Sequence, residues 1–93
     1  MENKNFIIVF VDDMGYGDYE RIGGSTETPN LNRLADEGIF FNNFYAAGPN
    51  CSPSRAGLMT GKSPAKVGMY SYRPQSHPLH LPNQEITLAE LLK

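Results

Sequence analysis

The sequence has 93 residues, 40% of them hydrophobic, with a net charge of −2 and one cysteine. That length allows one small domain with a modest core, and the composition is that of an ordinary soluble globular chain. One cysteine excludes an internal disulfide and fits an oxidising or a reducing compartment equally, and the balanced charge, with no basic stripe, argues against nucleic acid or a membrane surface as partner.

Residues 6–11, FIIVFV, form a continuous β-branched and aromatic run. The pattern predicts a strand buried on both faces, as in a parallel sheet. Six residues are too few for a signal-peptide core or a membrane span, so periplasmic, secreted and cytoplasmic locations all stay open. Asp12 and Asp13 close the run. In TETPNLNRLADEG, Thr28 is the N-cap, Pro29 the first helical residue and Gly38 the stop, with Leu31, Leu34 and Ala35 on one face; this predicts a short helix. Residues 39–45 return to aromatic and β-branched types, which predicts a second strand interrupted by Asn42 and Asn43. Strand, helix, strand is an α/β order.

Ser52 and Pro53 next predict an N-cap and first helical residue, with 55–60 as the helix body and Gly61 as its end. Cys51 then lies at a helix N-terminus. Residues 63–85, with Pro64, Pro74, Pro78 and Pro82, predict an irregular surface excursion. Thr87 and Glu90 form a capping-box pattern before Leu88, Leu91 and Leu92, a helix cut after about two turns.

Two constellations carry chemistry. A bare Asp-Asp pair at a strand end reads first as a solvated turn, but Gly15 and Gly17 in the following Met-Gly-Tyr-Gly allow a sharp bend that could aim both carboxylates at one ion. Two close carboxylates repel unless a cation offsets them, and all-oxygen ligation favours Ca²⁺ or Mg²⁺. Carboxyl ends of parallel strands are where open α/β sheets place their sites. Cys51 taken alone is a small buried apolar residue. At a helix N-terminus, with Arg55 four residues on, it instead faces an anion-binding arrangement of amides and guanidinium. The Cys-x3-Arg spacing disfavours a cysteine-phosphatase loop, which wants five intervening residues.

CSPSR at 51–55 resembles the Cys-x-Pro-x-Arg signature of the type I sulfatases. FVDDMGYGD is similar to that family's first metal motif, the stretch from TPNLNRLADEG to KVGMY follows the family's order, and LPNQEITLAELLK is similar to the segment before its Gly-Lys-Trp-His motif. The resemblance covers nearly the whole chain and about the first fifth of a typical member. It implies an alkaline-phosphatase-like three-layer α/β/α sandwich, of which residues 1–93 are the incomplete N-terminal part of the catalytic domain.

By the same resemblance, Asp12, Asp13 and the modified Cys51 meet a divalent cation, usually Ca²⁺, with Mg²⁺ the alternative. Cys51 is converted to formylglycine by a maturation enzyme that reads Pro53 and Arg55. The hydrated aldehyde attacks the sulfur of a sulfate ester with one hydroxyl, and deprotonation of the other re-forms the aldehyde and expels sulfate, a route closed to serine or cysteine. Arg55 holds the diol or the sulfate charge. The family's Gly-Lys-Trp-His lysine and histidine, a further histidine and later Asp-Asn ligands are expected beyond residue 93. Lys62 matches a basic position of the family and reads equally as a solvated helix-end lysine. His77 and His80 match no family catalytic histidine and read as loop residues; Tyr16, Tyr45, Tyr70 and Tyr72 read as packing or rim residues. The rival readings are a phosphonate monoester or phosphodiester hydrolase of the same superfamily, and a non-catalytic metal-binding module.

Overall fold

The computed structural model describes residues 4–93, which divide into two compact units at Asn42/Asn43. In the first unit, residues 4–11 form neither helix nor strand. Ile7 is 90% and Val9 82% exposed. This corrects the strand expected at 6–11, and the one expected at 39–45 is likewise absent: no β-strand occurs among the described residues. The reason is physical, since an extended run holds its geometry through ladder bonds to neighbours, and a run apolar on both faces needs sheet partners as well as covering layers. The α/β/α sandwich is therefore not formed by these residues, and what stands is helical.

Helix α1 (Pro29–Glu37) matches the expected bounds, with Thr28 before it and Pro29 in its first turn. The Thr28 hydroxyl makes no cap bond. Glu20 serves instead: its Oε2 accepts from the Thr28 N–H at 2.8 Å and from Asn32 Nδ2 at 2.7 Å, which sets a carboxylate at the positive end of the helix. Arg21 pairs with Asp36 and lies over the Phe40 ring, 5.6 Å from its centroid. Tyr19, the buried residue among those described in this unit, meets the same ring at 5.8 Å. Met14, Tyr19, Leu31, Leu34 and Phe40 leave between them a shallow apolar hollow of about 240 Å³.

In the second unit, helix α2 runs Cys51–Thr60 and ends at Gly61, whose φ of 65° closes the last turn in the left-handed region. It packs on a 3₁₀ turn, Pro64–Val67, and touches helix α3, Leu88–Leu91. Ala56, Val67 and Met69 form the buried cluster, with Leu81 against it. The segment expected as a surface excursion thus supplies most of this core, because the turn at Pro64–Val67 directs Val67 and Met69 back onto α2. Gly57 permits the close approach of the incoming chain, since a Cβ there would lie 2.4 Å from that of Ala47. No helix among the described residues is long and apolar enough to cross a membrane.

Candidate active site

Helix α2 begins earlier than the sequence suggests: Cys51 is its first residue, Asn50 precedes it in extended conformation, and Pro53 stands third. The expected cap, Ser52, lies inside the helix with its hydroxyl committed elsewhere. Ser52 Oγ accepts the Arg73 N–H at 2.9 Å and faces the Arg73 carbonyl at 3.4 Å. Proline is tolerated in a first turn because its missing N–H would have no partner there. Ser54 N–H closes the first helical bond on the Asn50 carbonyl at 3.1 Å. Of the first turn, then, the amides of Cys51 and Ser52 are the donors that a ligand can take.

The turn is rigidly held. Pro53 is fully buried and Ser54 is 7% exposed, and Ser54 Oγ donates to the Gly48 carbonyl at 2.6 Å. A buried hydroxyl so bonded fixes the incoming chain against the helix. Cys51 is a half-buried free cysteine. Arg55 is exposed one turn further along, on the same face of the helix as Cys51 by the four-residue spacing. The arrangement offers an anion two amides, a helix N-terminus and a guanidinium around the residue that would carry the nucleophile.

Asp12 and Asp13 lie in the first unit, both exposed, where the apolar run turns. The turn is made at Asp13 itself, whose φ is 54°, and Gly15 has an ordinary φ of −80°. That corrects the reason for the bend, which is made by the left-handed Asp13 and not by the glycines that follow it. Oxygen donors of this hardness suit Ca²⁺ or Mg²⁺, but two residues supply fewer than the roughly six to eight oxygens Ca²⁺ takes. Among the described residues no three His, Cys, Asp or Glu side chains gather as a metal-binding group.

Lys62 just beyond α2 donates to Glu85 Oε2 at 2.5 Å, a tie between the helix end and the segment leading into α3. His80 is an exposed loop residue. Tyr16, Tyr45, Tyr70 and Tyr72 are exposed. His77 has a more specific place, with Nε2 at 3.0 Å from Arg73 Nη1. The sequence offered Ser52 only as a cap and gave no sign of Arg73; the two are 21 residues apart, and no local pattern joins a serine in a helix to an arginine in a proline-rich loop.

The family model described as Sulfatase matches residues 4–93. Over 96% of its length the chain is 47% identical to human (Homo sapiens) N-acetylgalactosamine-6-sulfatase, covering 19% of that protein. It is 45% identical to bovine (Bos taurus) arylsulfatase A, with 95% of the chain and 18% of the relative covered, and 44% identical to human steryl-sulfatase, with 96% and 16% covered. The chain thus spans about a fifth of the length of the curated relatives it matches. With a sulfatase match running from residue 4 to residue 93, and Cys51 and Arg55 on one face at the start of a pinned helix, this chain belongs to the sulfatase family.

Proposed function

We propose that the chain is the N-terminal segment of a sulfatase catalytic domain, of the alkaline-phosphatase-like α/β class when complete, and that the full-length enzyme hydrolyses a sulfate ester at residue 51. The observation that carries this reading is the placement of Cys51 as the first residue of α2 with Arg55 exposed one turn on. A sulfate group bound there accepts from the amides of Cys51 and Ser52 and from the Arg55 fork, so charge on the sulfuryl oxygens is met by fixed donors. Oxidation of Cys51 to formylglycine by the maturation enzyme, followed by addition of water to the aldehyde, gives two hydroxyls on one carbon: one attacks sulfur and displaces the alcohol, and the other gives up its proton as the aldehyde re-forms and sulfate departs. Asp12 and Asp13 are the residues that would hold a divalent cation, Ca²⁺ or Mg²⁺, whose chemistry when bound would be Lewis acidity.

Pro53 and Ser54 keep the first turn from shifting as charge develops, because both are buried and Ser54 is bonded to Gly48. The names of the relatives, an N-acetylgalactosamine-6-sulfatase, an arylsulfatase and a steryl-sulfatase, favour a sulfate ester over the phosphonate and phosphodiester alternatives. Co-expression with a formylglycine-generating enzyme tests the reading. Peptide mass spectrometry of the 49–62 stretch should show conversion of the Cys51 thiol to an aldehyde, and Pro53→Ala or Arg55→Ala should suppress it. Unmodified Cys51 throughout, or converted enzyme inert toward every sulfate ester tried, overturns it.

A further inference from the structure

The loop that follows the Pro64–Val67 turn is fastened to the nucleophile's helix by one contact of unusual position. Ser52, the neighbour of Cys51, uses its hydroxyl to hold the Arg73 backbone on both sides, N–H at 2.9 Å and carbonyl at 3.4 Å. The Arg73 guanidinium meets His77 Nε2 at 3.0 Å from Nη1 and the Gly68 carbonyl at 3.4 Å from Nη2. Its Nε is shut away from solvent with no partner. No carboxylate pairs with it among the described residues, whereas Arg21, Arg33 and Lys62 each have one. A half-buried guanidinium with an orphaned donor and no counter-charge is an uncommon arrangement, because buried donors are normally satisfied and arginine is normally paired.

Position and charge together carry the inference, which rests on the sulfatase reading of Cys51. We infer that Arg73, braced by His77, is a specificity-determining residue that binds a second anionic group on the leaving-group side of the sulfate ester. The guanidinium only donates, so His77 Nε2 faces it as an acceptor; the ring's N–H is then on Nδ1, which faces the Leu79 carbonyl at 3.3 Å. The bracing leaves the remaining Nη hydrogens for a bidentate anion. Because the Arg73 backbone is anchored to Ser52, the neighbour of Cys51, the loop that carries the guanidinium adjoins the start of α2, beside a sulfate ester seated at residue 51. The substrate class is therefore a sulfate ester whose alcohol portion carries another anion, a carboxylate or a second sulfate.

The test uses the full-length enzyme and three sulfated disaccharides whose neighbouring sugar is neutral, carries a carboxylate or carries a second sulfate. Arg73→Gln should lower kcat/KM about ten- to hundredfold for one or both anionic disaccharides, mainly through KM, and leave the neutral one within about twofold. Arg73→Lys should restore part of the loss. Which anionic disaccharide responds distinguishes carboxylate from sulfate. Calorimetric titration of the same three into the Cys51→Ala variant reads binding without turnover, so a failure of the sulfatase reading stays separate from a failure of this one. Equal binding of the three by Cys51→Ala, a preference that survives Arg73→Gln, or an equal loss for all three overturns the inference.

Discussion

Asp13 occupies the left-handed region with a φ of 54°, a conformation that aspartate tolerates better than most residues and glycine adopts freely. That separates its backbone role from its carboxylate. Asp13→Gly should keep the turn and lose the ligand, whereas Asp12→Ala removes a ligand from an ordinary backbone. We predict that in the full-length enzyme both variants lose Ca²⁺ affinity and at least about 100-fold in activity, a cost no smaller than that of a group supporting a ligand, with thermal stability measured at saturating Ca²⁺ little changed for Asp13→Gly. Metal still bound at wild-type affinity in both would refute the assignment. At this scale the sequence was informative about identity and silent about neighbours. The Asp-Asp pair and Cys-Ser-Pro-Ser-Arg are legible because the chemistry depends on residue types at short spacing. Arg73 is not, because its significance lies in what it touches, Ser52 across a loop and a histidine in place of a carboxylate.

Among the elements, the helices were readable from their ends, since α1 follows its Thr-Pro start and Gly stop and α2 its Gly61 stop. The start of α2 was misread because a serine before a proline looks like a cap, and nothing local reveals that its hydroxyl is spent on Arg73. The two strand segments were readable as apolar extended runs but not as free-standing strands, since a ladder needs partners that local pattern does not supply. The start of α3 is explicit: Glu90 Oε2 accepts from the Thr87 N–H at 2.7 Å and the Thr87 hydroxyl at 3.0 Å, and these bonds, the backbone one first, hold the Glu90 carboxyl below its ordinary 4.5. A carboxyl depressed in the folded state binds fewer protons than in the unfolded one, so its contribution is present above pH 4.5 and is lost as the pH falls through the lower folded value. The Thr87 amide resonance should titrate with a midpoint below 4.5, and Glu90→Gln should abolish that titration. A midpoint at or above 4.5 would show that the cap does not hold the carboxylate.

For the whole molecule, the balance of surface and core decides what these 93 residues can do alone. The buried hydrophobic residues number few beside the exposed ones: Ala56, Val67 and Met69 cluster in one unit, while Phe6, Ile7, Val9, Ile39, Phe41, Phe44 and Tyr45 are each at least 66% exposed. Apolar surface of that extent favours association over a dispersed monomer. The chemistry is short of parts as well. Cys51, Arg55, Asp12 and Asp13 give a nucleophile precursor, an anion-binding guanidinium and two carboxylate ligands, but no further His, Cys, Asp or Glu joins them to complete a metal group among the described residues, and neither His77 nor His80 matches the family's acid for the leaving alcohol. Proton delivery to that alcohol is worth about 10² to 10⁴ in rate, and a cation held by two carboxylates exchanges readily. We therefore predict that the 93-residue chain, verified to carry formylglycine at position 51 and supplied with Ca²⁺, shows no multiple turnover of a chromogenic aryl sulfate above a Cys51→Ala control, and elutes in size-exclusion chromatography as an associated species. Sustained turnover by a monomer would mean that the residues of the first fifth suffice for the reaction, and that the second unit's pinned helix and its anion donors carry more of the chemistry than the argument from missing groups allows.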